Sequence, residues 1–240
     1  MHLRALLVSA LTIVIGLFGA TWAYAASYQL SEISLPDGTV RTPRWDPCQP
    51  AITYKVNVKR VRGAAAKRSA IQATKVSVTR VADATGMRFA YQGRTDRVPR
   101  SGSLSSQNTA EIVIAFVRPS DTNYDLRGAT VGQGGWTANY MRVAGSYVAA
   151  ISRGFVVIDE PQTRNWPNGT NARGVTRTNL ITHELGHAVG MGHSTHAGNL
   201  MYPALQSRTP PGFAREDQQG LTRVGRAAGC IDITGLLQDL

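Results

Sequence analysis

The stretch HELGHAVGMGH, residues 183–193, contains residue types that can bind a metal ion. If the stretch begins as a helix, His183 and His187 are four residues apart and project from the same face. Two imidazoles can then meet one cation. Gly190 can leave the helix through a backbone conformation closed to most residues, which lets His193 approach the cation from a third direction.

Three neutral nitrogen ligands favour Zn²⁺. Zinc with three protein ligands keeps a fourth position for water, whereas a structural site is closed by four protein ligands. We therefore predict one catalytic zinc, with Glu184 beside it as the general base. A bare HExxH also occurs by chance in helices, but here the pattern is longer. All histidines except His2 fall between residues 183 and 196.

The elements around this stretch predict an α+β domain with a mixed sheet, because most strands precede the later helices. Thr176 or Thr178 can cap the helix that carries the histidines. Alternating or apolar patterns predict strands at 51–58, 87–93, 111–118 and 146–160. Helical spacing predicts helices at 64–85 and 214–229. Residues 119–135 are predicted to be a long loop, in which Asp121 and Asp125 are candidate oxygen ligands for an ion.

The first 25 residues have the outline of a secretory signal peptide, with a short positive start, an apolar middle and small residues at the end. We predict export with cleavage after Ala25. The alternative is an uncleaved anchor, because the apolar run at residues 5–23 is nearly long enough to span a bilayer. In both cases the remainder faces outward. Residues 26–44 are predicted to be an extended lead-in to one domain over 45–240.

The formal net charge of +11 predicts an anionic partner. An exported basic protein most simply meets an anionic cell wall or membrane surface. We expect no specific nucleic-acid partner, because the densest cation cluster has only Tyr54 as an aromatic neighbour. This cation cluster comprises Lys55, Lys59, Arg60, Arg62, Lys67 and Arg68. We also expect the protein to be a monomer.

The chain has two cysteines, Cys48 and Cys230. An even pair in an oxidising compartment predicts a disulfide. The alternative is a free Cys48 thiolate that caps the zinc and keeps the enzyme latent, which leaves Cys230 unpaired.

The stretch HELGHAVGMGH resembles the zinc signature of the metzincin metallopeptidases, and NLMYP at 199–203 resembles their Met-turn. Ser194 after the third histidine and the spacing to Met201 resemble the matrixin branch, the relatives of matrix metalloproteinases. The resemblance implies a twisted five-stranded sheet, mostly parallel with one antiparallel edge strand. It also implies two long helices, a cleft, and a small C-terminal subdomain with a terminal helix.

The resemblance implies further site residues. Met201 would form an apolar floor beneath the zinc, and Tyr202, Pro203 and Leu205 would line the substrate pocket. Asp159 and Glu160 follow an apolar strand as calcium-binding acids of the family do, so Ca²⁺ is a candidate second ion.

The chain also departs from the family pattern. It has no histidine between residues 3 and 182, so the second zinc of animal matrixins is not carried over.

These features predict a secreted zinc endopeptidase that acts on a protein or peptide substrate. The alternative is an exported wall-binding or adhesion protein whose zinc is purely structural, for which His196 is the nearby candidate for a fourth ligand. If the protein is a peptidase, His196 could stabilise the oxyanion or bind substrate. The alternative is that it is an exposed loop residue.

Overall fold

The computed structural model describes residues 27–104, 109–143 and 145–231. The predicted signal peptide or anchor, residues 1–25, lies outside these ranges. Within them, no helix combines the length and apolar character needed to cross a membrane.

A five-stranded sheet forms the centre of the domain, in the order β4-β3-β5-β7-β6. The first four of these strands are parallel, and β6 pairs antiparallel with β7 at the edge. The predicted mixed sheet with one antiparallel edge strand is therefore confirmed. The strands are β1 (Ile33–Ser34), β2 (Val40–Arg41), β3 (Ile52–Asn57), β4 (Phe89–Arg94), β5 (Ile112–Val117), β6 (Gly132–Val143) and β7 (Ser146–Asp159).

Helices cover one face of this sheet, as their apolar periodicity requires. The helix that bears the histidines packs along the long helix that connects β3 to β4. Ser77 Oγ donates to the Thr178 carbonyl at 3.0 Å, and Arg80 Nη1 donates to Asn179 Oδ1 at 3.2 Å. The helices are α1 (Ala64–Thr85), α2 (Glu160–Thr163), α3 (Arg177–Ala188) and α4 (Arg215–Val224).

The core lies between the sheet and the helices. Val56, Ile114 and Ile158 on three adjacent strands are fully buried against Val81 of α1 and Ile181 of α3. Each fully buried side chain of this size stabilises the fold by about 1.5–3 kcal/mol. The central strand β5 is buried at every position, because a loop covers its other face. This packing fixes α3, and with it the histidines, against the sheet.

The sequence-based prediction of a loop over residues 119–135 is wrong for its last part, which begins β6 at Gly132. Glycines weaken the sequence signal of a strand, so residues 132–135 resembled a loop. The two acids of the remaining loop have protein partners, and an ion bound there stays a prediction. Asp121 forms an ion pair with Arg60, and Asp125 pairs with Arg127 at 2.8 Å.

The lead-in runs beside the end of the HELGHAVGMGH stretch. Leu30 forms an antiparallel bridge with Met191, and the Gly192 amide donates to the Gln29 carbonyl at 2.8 Å. The lead-in then forms the small antiparallel sheet of β1 and β2. It therefore packs directly on the chain segment that carries His193.

A disulfide joins Cys48 to Cys230, with 5.3 Å between the two Cα atoms. The predicted pairing is therefore present in the structure, and a free Cys48 thiolate over the metal is not. Because 182 residues separate the cysteines, the bond ties the start of the domain to its C-terminal end.

Replacing both cysteines, Cys48→Ser and Cys230→Ser, is expected to lower the free energy of unfolding by about 3–5 kcal/mol, because the open chain gains loop entropy when it unfolds. Urea denaturation of the oxidised protein and of the double variant measures this difference. Reductant should weaken the parent protein to the level of the variant and leave the variant unchanged. An equal effect of reductant on both proteins would contradict a stabilising bond.

Candidate active site

Helix α3 begins after the predicted threonine cap and ends just before the predicted glycine turn. Thr176 is the N-cap, and its side chain accepts a hydrogen bond from the Asn179 amide at 3.1 Å. The helix ends at Ala188, and Gly190 follows with φ of 105°, a conformation that favours glycine. The chain then turns back, which brings His193 beside the helix.

The Nε2 atoms of the three predicted ligands converge. His187 Nε2 lies 3.2 Å from His183 Nε2 and 3.1 Å from His193 Nε2. His183 Nδ1 lies 2.7 Å from the Leu200 carbonyl, and His187 Nδ1 lies 2.9 Å from the Met191 carbonyl. A carbonyl oxygen can only accept, so these Nδ1 atoms carry the protons and the facing Nε2 atoms carry lone pairs.

The donor set fits a zinc ion. Lone pairs that face one another repel unless a cation lies between them. Zinc binds imidazole nitrogen at about 2.0–2.1 Å in tetrahedral geometry, which separates neighbouring nitrogens by about 3.3 Å. The observed spacings of 3.1 and 3.2 Å are close to this value. The three histidines can therefore hold one Zn²⁺.

Burial keeps the imidazoles neutral, which is the form that binds a metal. It lowers the pKa of His183 to about 3, with a further contribution from the neighbouring His187. It lowers the pKa of His187 to about 4 and also lowers the pKa of the half-exposed His193. The ligands therefore need no deprotonation before they bind a cation at neutral pH.

The Glu184 carboxyl is buried beside the first histidine but reaches the same cleft. Burial raises its pKa to about 8, although a hydrogen bond from the Gly134 amide opposes this shift. Because the carboxyl lies beside the three imidazoles in the same cleft, it is in position to exchange a proton with a molecule bound there.

Helix α3 and strand β6 lie very close together at Glu184. The glycines of β6 allow this close packing, and they were not recognised from the sequence. A methyl group at Gly134 would lie 2.0 Å from the Glu184 carbonyl oxygen, and one at Gly132 would lie 2.8 Å from Glu184 Oε1. Helix and strand can be this close only without side chains at these positions. The run of glycines at 132, 134 and 135 was the available signal, because a glycine within a strand often marks a close backbone approach.

The Met201 side chain is fully buried. A methyl group at Gly186 would lie 2.5 Å from its sulfur, so the methionine packs directly on α3. The Ser194 amide donates to the Met201 carbonyl at 2.7 Å, which ties the turn to the residue after His193. Met201 therefore packs on the helix that carries two of the histidines, and the group that could hold a metal comprises the three histidines.

Asp217 of α4 supports this turn from below and was not recognised in the sequence. Its buried carboxyl accepts hydrogen bonds from the amides of Leu200 at 2.7 Å and Met201 at 3.4 Å. It also accepts from the Ala214 amide at 3.0 Å, as part of the N-terminal cap of α4. Because the Leu200 carbonyl holds His183, Asp217 fixes the orientation of a ligand indirectly.

Asp217→Ala is expected to lower the free energy of unfolding by about 3 kcal/mol, because it leaves buried amides without partners at about 1–3 kcal/mol each. It should also weaken zinc binding, because the Leu200 carbonyl is no longer fixed. Thermal unfolding and zinc competition with a chromogenic chelator measure the two effects. Asp217→Asn, which keeps one acceptor, should lie between the parent protein and Asp217→Ala. A fully stable Asp217→Ala protein with parental zinc affinity would contradict this role.

An open cleft of about 790 Å³ lies over the histidines. Pro203 and Leu205 line it, as the family resemblance implies, whereas Tyr202 is not part of its wall. Trp166 and Val175 also line the cleft and add to its apolar surface, although neither was recognised from the sequence. The β6 segment that contains the glycines lines the cleft as well.

Other candidate residues lie away from the three histidines. His196 does not line the cleft, and its Nδ1 lies 3.4 Å from Glu216 Oε2 on α4. Asp159 caps α2 by accepting from Gln162, and Glu160 pairs with Arg164 at 2.9 Å. Both acids have protein partners. Calcium binding at this place stays a prediction.

Comparison with known proteins agrees with this geometry. The family model described as Matrixin matches residues 44–224. The chain belongs to the matrixin family. It is 40% identical to human matrix metalloproteinase-20 over 58 residues, which are 23% of this chain and 12% of that protein. It is 32% identical to human matrilysin over 65 residues, 26% of this chain and 24% of that protein.

These matches span less than two thirds of the length of either relative. Membership of the matrixin family supports a zinc metalloprotease, which agrees with the three histidines and their neighbouring glutamate.

Proposed function

We propose that the protein is a secreted endopeptidase that uses one zinc ion to hydrolyse peptide bonds. The observation that carries the proposal is the convergence of three Nε2 atoms and the Glu184 carboxyl in one open cleft. A structural site has no use for a carboxylate or for an opening to solvent at this place.

In this proposal the histidines hold the cation and Glu184 moves the proton. When bound, zinc supplies Lewis-acid polarisation of a carbonyl and activation of water. Glu184 accepts the proton of the attacking water and returns it to the leaving amine. The carbonyls of Leu200 and Met191 keep the ligand protons on Nδ1.

The cleft suits an extended peptide. Strand β6 pairs only with β7 among the described strands, so its other edge is free where it lines the cleft. A peptide can pair with this edge through its main chain, and the apolar wall around Trp166 and Leu205 can select a side chain.

The alternative, a wall-binding protein with a structural zinc, requires a fourth protein ligand. The candidate, His196, is turned towards Glu216. Export is supported by the pattern of residues 1–25 and by the disulfide, which suits an oxidising compartment.

Incubation of the zinc-loaded protein with a diverse peptide mixture tests the proposed activity. Mass spectrometry of the products should show internal cleavage with a preference for one side-chain class next to the cut. A chelator should abolish the products, and added zinc should restore them. A complete lack of products with fully zinc-loaded protein would favour the structural-zinc alternative.

A further inference from the structure

A groove runs along the sheet edge opposite the active-site cleft. Its first part is a hollow of about 620 Å³ between the start of α1 and strand β4. Lys67 and Arg68 project from the α1 side, and Arg94 projects from the β4 side. Cations therefore stand on both walls of the same depression.

The hollow continues past the end of β4. A second depression shares Lys67 and Arg94 with the first and adds Lys59. A third shares Lys59 with the second and leads to Arg97 and Arg100. Together they form one channel, which we call the basic groove, lined by Lys59, Lys67, Arg68, Arg94, Arg97 and Arg100.

Most of this positive charge is not neutralised by the protein. The groove has two acids, Asp96 and Asp121. Asp96 forms an exposed pair with Lys59, and Asp121 pairs with Arg60. Within the part of the chain that the structure describes, no ion pair involves the remaining groove cations. These are Lys67, Arg68, Arg94, Arg97 and Arg100. The N-terminus of α1 adds positive potential through its free backbone amides, and no acidic residue in its first turn offsets this potential.

The aromatic and apolar side chains at the groove limit what it can bind. Tyr91 is the aromatic residue of the first hollow, and the Lys75 ammonium lies 4.6 Å from its ring centre. Its ring also contacts Tyr54, and these two neighbours restrict the stacking of a nucleic-acid base on it. The exposed large apolar residues of the described chain lie elsewhere, so nothing here can insert into a bilayer. They are Val40, Tyr140 and Val175.

We propose that the basic groove binds a linear polyanion whose phosphate or carboxylate groups lie between the two rows of cations. Four of the six cations are arginines, whose planar guanidinium groups bind either anion through two parallel hydrogen bonds. The groove and the cleft lie beside opposite edge strands, β4 and β6, about 19 Å apart across the sheet. A bound polymer therefore leaves the cleft free, and the groove would hold the protein on a polymer while the cleft takes a separate substrate.

Fluorescence anisotropy with labelled polyphosphate and labelled polyglutamate tests this proposal on the zinc-loaded protein. The groove variant carries Lys67→Gln, Arg68→Gln and Arg94→Gln. The control variant carries Arg41→Gln, Arg208→Gln and Arg223→Gln, which removes the same charge from exposed positions outside the groove. The groove variant should bind at least one of the polymers about tenfold more weakly than the parent protein. The slope of log K against log salt is negative, and its magnitude should be smaller by about 2 in the groove variant. The control should stay close to the parent protein.

Equal losses in the two variants would overturn the proposal, because binding would then follow net charge alone. Binding to anionic vesicles without binding to either polymer would also overturn it. Tighter binding of single-stranded DNA than of polyphosphate at equal phosphate concentration would contradict the partner class, because it requires contacts with bases. Peptide cleavage should be unchanged in the groove variant. The groove and the proposed peptidase activity can therefore fail independently.

Discussion

Glu184→Gln is expected to lower kcat/KM for peptide cleavage by about 10²–10⁴-fold, because an amide cannot accept the proton of the attacking water. The size and shape of the side chain are kept. Zinc content should stay at the parental level, because the three imidazoles are unchanged. Steady-state kinetics and metal analysis of the same preparation give both values.

Glu160→Gln is the matched control, because it makes the same change in another buried glutamate that lies outside the cleft. Its kcat/KM should equal that of the parent protein. Full activity of Glu184→Gln would exclude this residue as the general base. Loss of zinc together with activity would show that Glu184 serves the metal site and not the proton transfer.

Gly134→Ala is expected to lower the free energy of unfolding by about 3 kcal/mol or more and to abolish most activity. The new methyl group would lie 2.0 Å from the Glu184 carbonyl oxygen and 2.6 Å from its carbonyl carbon. These are backbone atoms of α3, so helix and strand must separate, which costs more than moving a flexible side chain. Chemical denaturation and peptide cleavage measure the two effects.

Gly132→Ala tests the same contact between α3 and β6. Its methyl group would lie 2.8 Å from the end of the Glu184 side chain, which can move more easily than the backbone. It should impair cleavage with a smaller loss of stability. Asn139→Ala, at an exposed position of the same strand, should change neither property. A stable and active Gly134→Ala protein would show that α3 and β6 are less tightly packed than the structure indicates.

The three candidate metal ligands were predictable because they are close in sequence. The spacing of His183 and His187 on one helix and the turn at Gly190 require only local geometry. The predicted helix at 64–85 has the observed bounds for a similar reason, since its apolar face and the terminal Gly86 are both local signals. The mostly parallel five-stranded sheet with one antiparallel edge strand was implied by the family resemblance alone, because pairing between distant strands leaves no local signature.

The supporting residues were not predictable, because their roles depend on distant partners. Asp217 resembles an ordinary acid in the first turn of a helix, yet its carboxyl holds the turn at Met201. Gly134 is in a segment that resembled a loop, yet it lies against Glu184. In the same way, the charge cluster of the sequence becomes a groove only when Arg94 and Arg97 join it from the far side.

Titration of the metal-free protein with zinc, followed by peptide cleavage, tests the central claim most directly. Cleavage should be absent at the start, rise in proportion to added zinc, and reach its limit at about one zinc per chain, because one group of three histidines binds the ion. Cleavage by the metal-free protein, or no cleavage when one zinc per chain is firmly bound, would contradict a zinc peptidase.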